Sequence, residues 1–324
     1  MWRIISGLWM GLGLGANDAA NLFGPGVAAK TIKYRTATYL IAIFVLLGAV
    51  LEGPKCMTTL GKLAGATTLN EAFVILCGAA FSVMIMTFFG IPVSTSQAVV
   101  GSILGSIIFK HLSGIPGDLS GAFSDLPKIM ICWVGTPIGS AILAFIMYYL
   151  VEFLLERIFK NIIYINMFIK WSLIIGGCYG AYGLGANNVA NTTAVYVSSG
   201  FLSPQKAALY GGLAIGSGAL LFSKNVMTTV GKKISAVGPL GALIATIAHS
   251  ITIHFYTQIG VPVSSSQAIV GAVIGIGLIK GTKNISYKKI QQIVAGWILT
   301  PIGAGLFSML LIYILTYFKM SVYQ

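Results

Sequence analysis

Ten apolar segments run along this 324-residue chain, five in each half. In the first half they lie near residues 4–29, 37–51, 72–89, 98–109 and 129–155. In the second they lie near 168–198, 207–222, 237–256, 268–279 and 293–317. Long apolar runs predict helices, and helices predict an all-α polytopic membrane protein. Several runs are shorter than the roughly 20 residues a simple span requires, and others are interrupted by Gly, Pro or Asn. The longest polar connection, 111–128, is linker-sized, which excludes an attached ATPase or large sensory module. Five crossings per half is an odd number, so the halves enter the bilayer in opposite directions. If the third and fourth segments form a re-entrant hairpin the count falls to three, which is still odd. Either way the pattern predicts an inverted-topology repeat, with residues 1–156 as the first copy and 157–324 as the second.

The polar positions inside these runs repeat almost word for word. Gly13 to Asn21 (GLGANDAAN) returns as Gly183 to Asn191 (GLGANNVAN), with 7 of 9 residues identical. Met57 to Lys62 (MTTLGK) returns as Met227 to Lys232 (MTTVGK). Ile91 to Gly101 (IPVSTSQAVVG) returns as Val261 to Gly271 (VPVSSSQAIVG), with 8 of 11 identical. All three pairs share an offset of 170 residues, whereas Trp133 to Pro137 and Trp297 to Pro301 are offset by 164. Polar words duplicated within apolar surroundings point to a transport site between two related halves.

Composition agrees. The chain is 56% hydrophobic and 8% charged, with mean hydropathy +0.90, against about 25% charged for an ordinary soluble domain. Residues 1–15 run directly into repeated sequence and read as mature protein rather than a signal peptide. The formal charge of +13 comes from 20 Lys+Arg against 7 Asp+Glu. Most of the surplus reads as topology-fixing Lys and Arg. Seven, including Lys110 and Lys319, fall on the face holding the N-terminus, and thirteen, including Lys30, Lys33, Lys170, Lys232, Lys233, Lys280 and Lys283, fall on the other. The positive-inside rule makes the richer face cytoplasmic and both termini extracytoplasmic. Cys56, Cys77, Cys132 and Cys178 form no C-x-x-C pair, and neither a metal nor a disulfide role is indicated.

The G-A-N words disfavour continuous helix and bring amides to membrane depth. Close helix packing explains Gly13 and Gly15, but not the return of Asn17, Asp18 and Asn21 as Asn187, Asn188 and Asn191. A carboxylate at bilayer depth is disfavoured by about 2.5–3.5 kcal/mol and needs a partner or a task. Ser94, Thr95, Ser96 and Gln97 follow Pro92 in the grammar of a helix start, and Ser264, Ser265, Ser266 and Gln267 repeat it. Two such starts meeting at the midplane would surround an oxyanion with donors and favourable dipoles, without Arg or Lys. Among the other acids, Asp118 and Asp125 sit in the long loop, Glu152 and Glu156 at a helix end, and Glu71 starts a helix. Glu52 reads as a coupling group, or as an ion pair with Lys55 one turn on. His111, His249 and His254 read as packed or interfacial residues.

These words resemble the signatures of the inorganic phosphate transporter (PiT) family, a duplicated G-A-N-D-V-A-N and a P-V-S-T-T hairpin word. The resemblance extends from Gly13 to Pro301. It implies a sodium- or proton-coupled phosphate symporter with re-entrant hairpins, a multi-pass inner-membrane protein and a homodimer, with no cofactor beyond its co-transported ions and no nucleic-acid partner. By this resemblance Asn17, Asp18, Asn21, Ser94 to Gln97 and their repeat partners line the phosphate site. Coupling cations are assigned to Asp18, Glu52, Asn17, Asn187, Thr58 and Thr228. Three departures stand out: Asn188 for the second Asp, Gln97 and Gln267 for a common His, and Phe222 where many members carry an acid. Some relatives carry sulfate, so a proton-driven sulfate or related oxyanion permease is the nearest alternative. A passive anion channel would need a continuous polar stripe, and a membrane enzyme would need a catalytic constellation. The expected mechanism is alternating access at the midplane, with one half rocking against the other.

Overall fold

The computed structural model describes residues 2–65, 67–115, 119–230, 237–279, 281, 286–318 and 322, and for 119–122 and 125 only the backbone. Asp118, Lys233, Lys280, Lys283, Lys319 and the Gly231–Lys232 end of the repeated MTTVGK word lie outside the described residues, as does the Asp125 side chain. After a short 3-10 turn, the first half contains α1 (Ile5–Asn17), α2 (Ala20–Ala28), α3 (Tyr34–Glu52), α4 (Pro54–Ala64), α5 (Leu69–Phe88), α6 (Thr95–Leu112) and α7 (Leu119–Ile158). The second contains α8 (Ile162–Asn188), α9 (Ala190–Ser198), α10 (Pro204–Phe222), α11 (Lys224–Thr228), α12 (Gly238–Ile259), α13 (Ser265–Ile279) and α14 (Tyr287–Tyr317). Every predicted apolar segment is helical, and the element order of the first half recurs in the second. Two boundaries differ from expectation. The polar stretch 111–128 is mostly helix, because α7 begins at Leu119, ahead of its apolar run. The MTTLGK word lies on a separate helix, α4, since Gly53 and Pro54 interrupt the chain directly after α3.

Among the described residues, six stretches are long and apolar enough to cross a membrane: α3, α5, 126–158 of α7, α8 with α9, α12 and α14. Helices α7 and α14 present an apolar belt outward, with Ile138, Ile142, Ile298 and Leu306 each more than half exposed. Helix α13, at 15 residues, is too short to span.

The sequence halves do not form separate bodies. Helix α1 packs along α10 and α8 along α3, while α6 packs along α14 and α13 along α7. Each of these four contacts joins the two copies, and they form two matched pairs. Glycine permits the closest of them. A Cβ on Gly15 would lie 1.9 Å from the Ile215 carbonyl oxygen, and one on Gly185 would lie 2.0 Å from that of Val45. At the other pair, Gly101 meets the Pro301 carbonyl and Gly271 that of Pro137, with Cβ distances of 2.2 and 2.1 Å. The repeated T-P word is therefore a packing device for the inner arms α6 and α13. Rocking one sequence half rigidly against the other would tear the α1–α10 and α3–α8 seams, so a movement has to divide the molecule along other lines.

Candidate functional site

Each hairpin turn is built in the same way. Helix α5 ends in a Schellman motif, with Gly90 at φ 64° and Ile91 N–H donating to the Met86 carbonyl at 2.9 Å. Helix α12 ends likewise, with Gly260 at φ 74° and Val261 N–H donating to Tyr256 at 3.0 Å. Pro92 and Pro262 then keep the chain extended. Ser94 caps α6 by accepting from Gln97 N–H, and Ser264 caps α13 by accepting from Gln267 N–H, both at 3.2 Å. The predicted helix starts are present. Their first-turn N–H groups lack intrahelical partners and carry the positive end of the helix dipole.

The two tips meet. Ser96 Oγ donates to the Val263 carbonyl at 3.0 Å, and Ser266 Oγ donates to the Val93 carbonyl at 2.6 Å. This reciprocal pair joins the copies at the centre of the molecule. Asn17 holds its own copy's turn: Val93 N–H donates to its Oδ1, and its Nδ2 donates to the Ile91 carbonyl, both at 3.0 Å, and to Thr87 Oγ1 at 2.9 Å. Asn187 repeats this with Val263 N–H at 2.9 Å, the Val261 carbonyl at 3.2 Å and Thr257 Oγ1 at 3.1 Å. These two amides act as clamps on the turns, the role a neighbouring strand would fill in a sheet.

Asp18 follows directly after α1. The backbone stays right-handed there, and the ladder tightens as Asn21 N–H donates to the Asp18 carbonyl at 3.0 Å, so the expected helix break is a tightened step rather than an unwound segment. Thr95 Oγ1 donates to Asp18 Oδ2 at 2.5 Å. Asp18 Oδ1 is buried with no protein partner, as are Asn21 Oδ1, Asn191 Oδ1, Gln97 Oε1, Gln267 Oε1 and Asn188 Nδ2. Asn191 Nδ2 donates across the copies to Ser96 Oγ at 3.0 Å and to Asn188 Oδ1 at 3.3 Å; Asn21 Nδ2 donates to Ser265 Oγ at 3.4 Å. An unpartnered buried polar atom is disfavoured by about 1–3 kcal/mol, and six from the duplicated words lie around these converging tips. The group is occluded: Asp18 and all the Asn and Ser members are 0% exposed.

Sequence reasoning set His249 aside, and the structure brings it in. Its Nε2 lies 2.8 Å from Ser265 Oγ, while Nδ1 is buried without a partner. The available signal was a polar stripe on α12, with Thr246, His249, Ser250 and Thr257 at helical spacing and all fully buried. The corresponding α5 positions Leu76, Ala79 and Ala80 are apolar.

Other expected residues lie elsewhere. Thr58 and Thr228 are exposed and donate back to the Lys55 and Lys224 carbonyls of their own helices. Glu52 is fully engaged: Lys55 Nζ reaches Oε2 at 2.7 Å, Gln258 Nε2 donates to Oε2 at 2.9 Å and Tyr182 OH donates to Oε1 at 2.6 Å. The ion pair read as the alternative for Glu52 is thus formed. The copy-related positions of this cluster are Phe222, Asn225, Phe88 and Leu12, so it exists on one side only. Lys110, expected as a loop cation, is buried and pairs with Glu71 Oε2 at 2.6 Å, and Ser106 Oγ donates to Glu71 Oε1 at 2.7 Å.

A bilayer-length helical bundle, with hairpins delivering capped helix starts to a buried polar centre, is the architecture of a multi-pass membrane transport protein. Residues 14–308 match the phosphate transporter family, and the chain belongs to it. It is 27% identical over 291 residues to the Methanocaldococcus jannaschii protein named "Putative phosphate permease MJ0630", covering 90% of this chain and 89% of that one. It is 30% identical over 313 residues to "Sulfate permease CysP" of Bacillus subtilis, covering 92% and 83%. Its fold matches that of a solved structure named "The sodium-dependent phosphate transporter", with TM-score 0.81, 22% identity, and 97% and 98% of the two chains covered.

Proposed function

We propose that this chain is a secondary active transporter of inorganic phosphate, with sodium or protons as co-substrate and the paired hairpin tips as its site. One observation carries the reading: two helix starts from different copies converge beside a buried carboxylate that has one oxygen, Asp18 Oδ1, still unpartnered. Phosphate near neutral pH keeps a proton and can donate to that oxygen, while the first-turn N–H groups of α6 and α13 would serve its other oxygens, joined by the Ser96 and Ser266 hydroxyls once these release the Val263 and Val93 carbonyls. The unpartnered oxygens of Asp18, Asn21 and Asn191 would also suit a cation beside the anion. A bare dianion entering against a negative interior faces about 4.6 kcal/mol at 100 mV, two charges at about 2.3 each, which co-transported cations offset. The sodium dependence for which the structural relative is named supports sodium as that ion.

In this reading, access alternates about the tips through movement of groups drawn from both copies. The repeats are inverted, the termini are extracytoplasmic, and the protein works as a homodimer in the cell membrane. Glu52 supports the structure around the site through its bond with Lys55.

A second reading, transport of sulfate, is favoured by the relative named as a sulfate permease and by Asn188 in place of a second acid. Sulfate has no proton for Asp18, so the two readings separate on that residue. The test is labelled phosphate uptake into proteoliposomes with competing sulfate, with and without sodium and proton gradients. Phosphate uptake that resists sulfate and needs one of the gradients supports the proposal. Uptake indifferent to both gradients defeats the symport claim, and complete inhibition by equimolar sulfate together with an unaffected Asp18→Asn variant transfers the assignment to sulfate.

A further inference from the structure

Away from this site, a groove of about 860 Å³ opens between the α2–α3 connection and α8. Lys30, Lys33 and Lys170 line it together with Trp171, Leu40 and Ile174, and none of its lining residues is acidic. The Lys170 ammonium lies 6.0 Å from the Trp171 ring centre. A polar, cationic rim beside an apolar aromatic wall at a helix end is the chemistry of a membrane interface.

Topology alone requires only that lysines stand on this face. It does not explain the exact positions taken by Lys30 and Lys33. Among the described residues, Lys30 is the one non-glycine at positive φ, 58°. Its copy-related position is Gly200, at φ 74°, which adopts the same left-handed conformation without a Cβ penalty. Lys33 occupies the N-cap of α3 with no side-chain cap, whereas the related Ser203 caps α10 by accepting from Lys206 N–H. Arg35 then puts a cation in the first turn of α3, against the helix dipole. Lys30, Lys33 and Arg35 each stand where local structure favours another residue, and Lys30 and Lys33 place positive charge in the groove itself. Departures of this kind mark functional positions.

The geometry points to a binding site for an anionic phospholipid, its phosphate held by Lys30, Lys33 and Lys170 and its glycerol and upper acyl chains against Trp171, Leu40 and Ile174. The volume lies within the roughly 300–1,000 Å³ range of built ligand sites. A soluble anion would have no use for the apolar wall.

Native mass spectrometry of the purified protein with phosphatidylglycerol and phosphatidylcholine of matched chains tests this. Wild type should retain phosphatidylglycerol preferentially. Each lysine contributes about 1 kcal/mol near an anionic headgroup, about fivefold in retention, so Lys33→Ser with Lys170→Ser should lower it about 25-fold. Lys30→Gly should lower retention about fivefold without lowering the thermal midpoint in lipid-free detergent, because it relaxes the backbone; this variant separates lost binding from lost folding. The triple Lys→Arg exchange should preserve binding. Equal retention of the two lipids by wild type, or retention unmoved by all the lysine variants, overturns the assignment. So does displacement of phosphatidylglycerol by millimolar inorganic phosphate, which would make the groove a free-anion site.

Discussion

Asn187→Ala should disable the molecule by loosening a turn rather than by deleting a ligand. The Asn187 amide satisfies Val263 N–H and the Val261 carbonyl, and both residues are 0% exposed. Truncation orphans two buried backbone groups, each at about 1–3 kcal/mol, for a total of about 2–6 kcal/mol. Thr257 loses less, since its hydroxyl still donates to the Ile253 carbonyl at 3.0 Å. Asn17→Ala should be milder, because Val93 is fully buried but Ile91 is only partly so, and its carbonyl is less completely enclosed. The expected order of thermal midpoints in detergent is wild type, then Asn17→Ala, then Asn187→Ala. In proteoliposomes both variants should lose maximal uptake rate more than apparent affinity. If Asn187→Ala melts with wild type and only its phosphate KM rises, the amide is a ligand and the clamp reasoning is wrong.

Gly15→Ala should prevent assembly of the α1–α10 seam, since its Cβ would meet backbone at 1.9 Å, whereas Gly13→Ala should fold, since its nearest neighbours are side-chain atoms, the Met84 sulfur and Val83 Cγ1, both at 3.3 Å; yield of monodisperse protein separates the two. Glu71→Gln alone leaves the buried Lys110 charge without its carboxylate and should destabilise by about 3–5 kcal/mol, while Glu71→Gln with Lys110→Met should recover most of that loss in a denaturation series. His249→Leu should slow uptake, because it removes the imidazole that meets Ser265 at the start of α13, while leaving the thermal midpoint close to wild type, because the unpartnered buried Nδ1 goes with it; an unchanged uptake rate would assign the residue to packing.

Much of the site could be read from the words themselves. Pro-Val-Ser followed by an apolar run announces a capped helix start in either copy, and one shared offset says that both starts serve one purpose. What the words could not disclose was which partner each polar side chain would take. Asn17 and Asp18 are neighbours with similar reach, yet one amide closes on a turn 76 residues away and one carboxylate oxygen stays open. Thr58 and Thr59 differ by one residue, about 100° around a helix, and it is Thr59 that turns inward to donate to the Gly260 carbonyl at 2.6 Å. The interleaving of the copies was equally hidden. It depends on Gly15, Gly101 and their counterparts finding carbonyls on distant helices, and local periodicity carries no record of that. Glu71 read as a helix start and Lys110 as a topology-fixing cation because their spacing, 39 residues, places them side by side only after the hairpin closes.

The crossed serine bonds at the centre bear on leakage. Ser96 and Ser266 each tether the opposite tip, so withdrawing either tip by itself severs both tethers at once. No intermediate keeps half of the latch. A symporter of the proposed kind that exposed its interior to both compartments together would dissipate the gradients it draws on, and a fastening that opens only as a unit makes that through-passage the least accessible arrangement of the two tips.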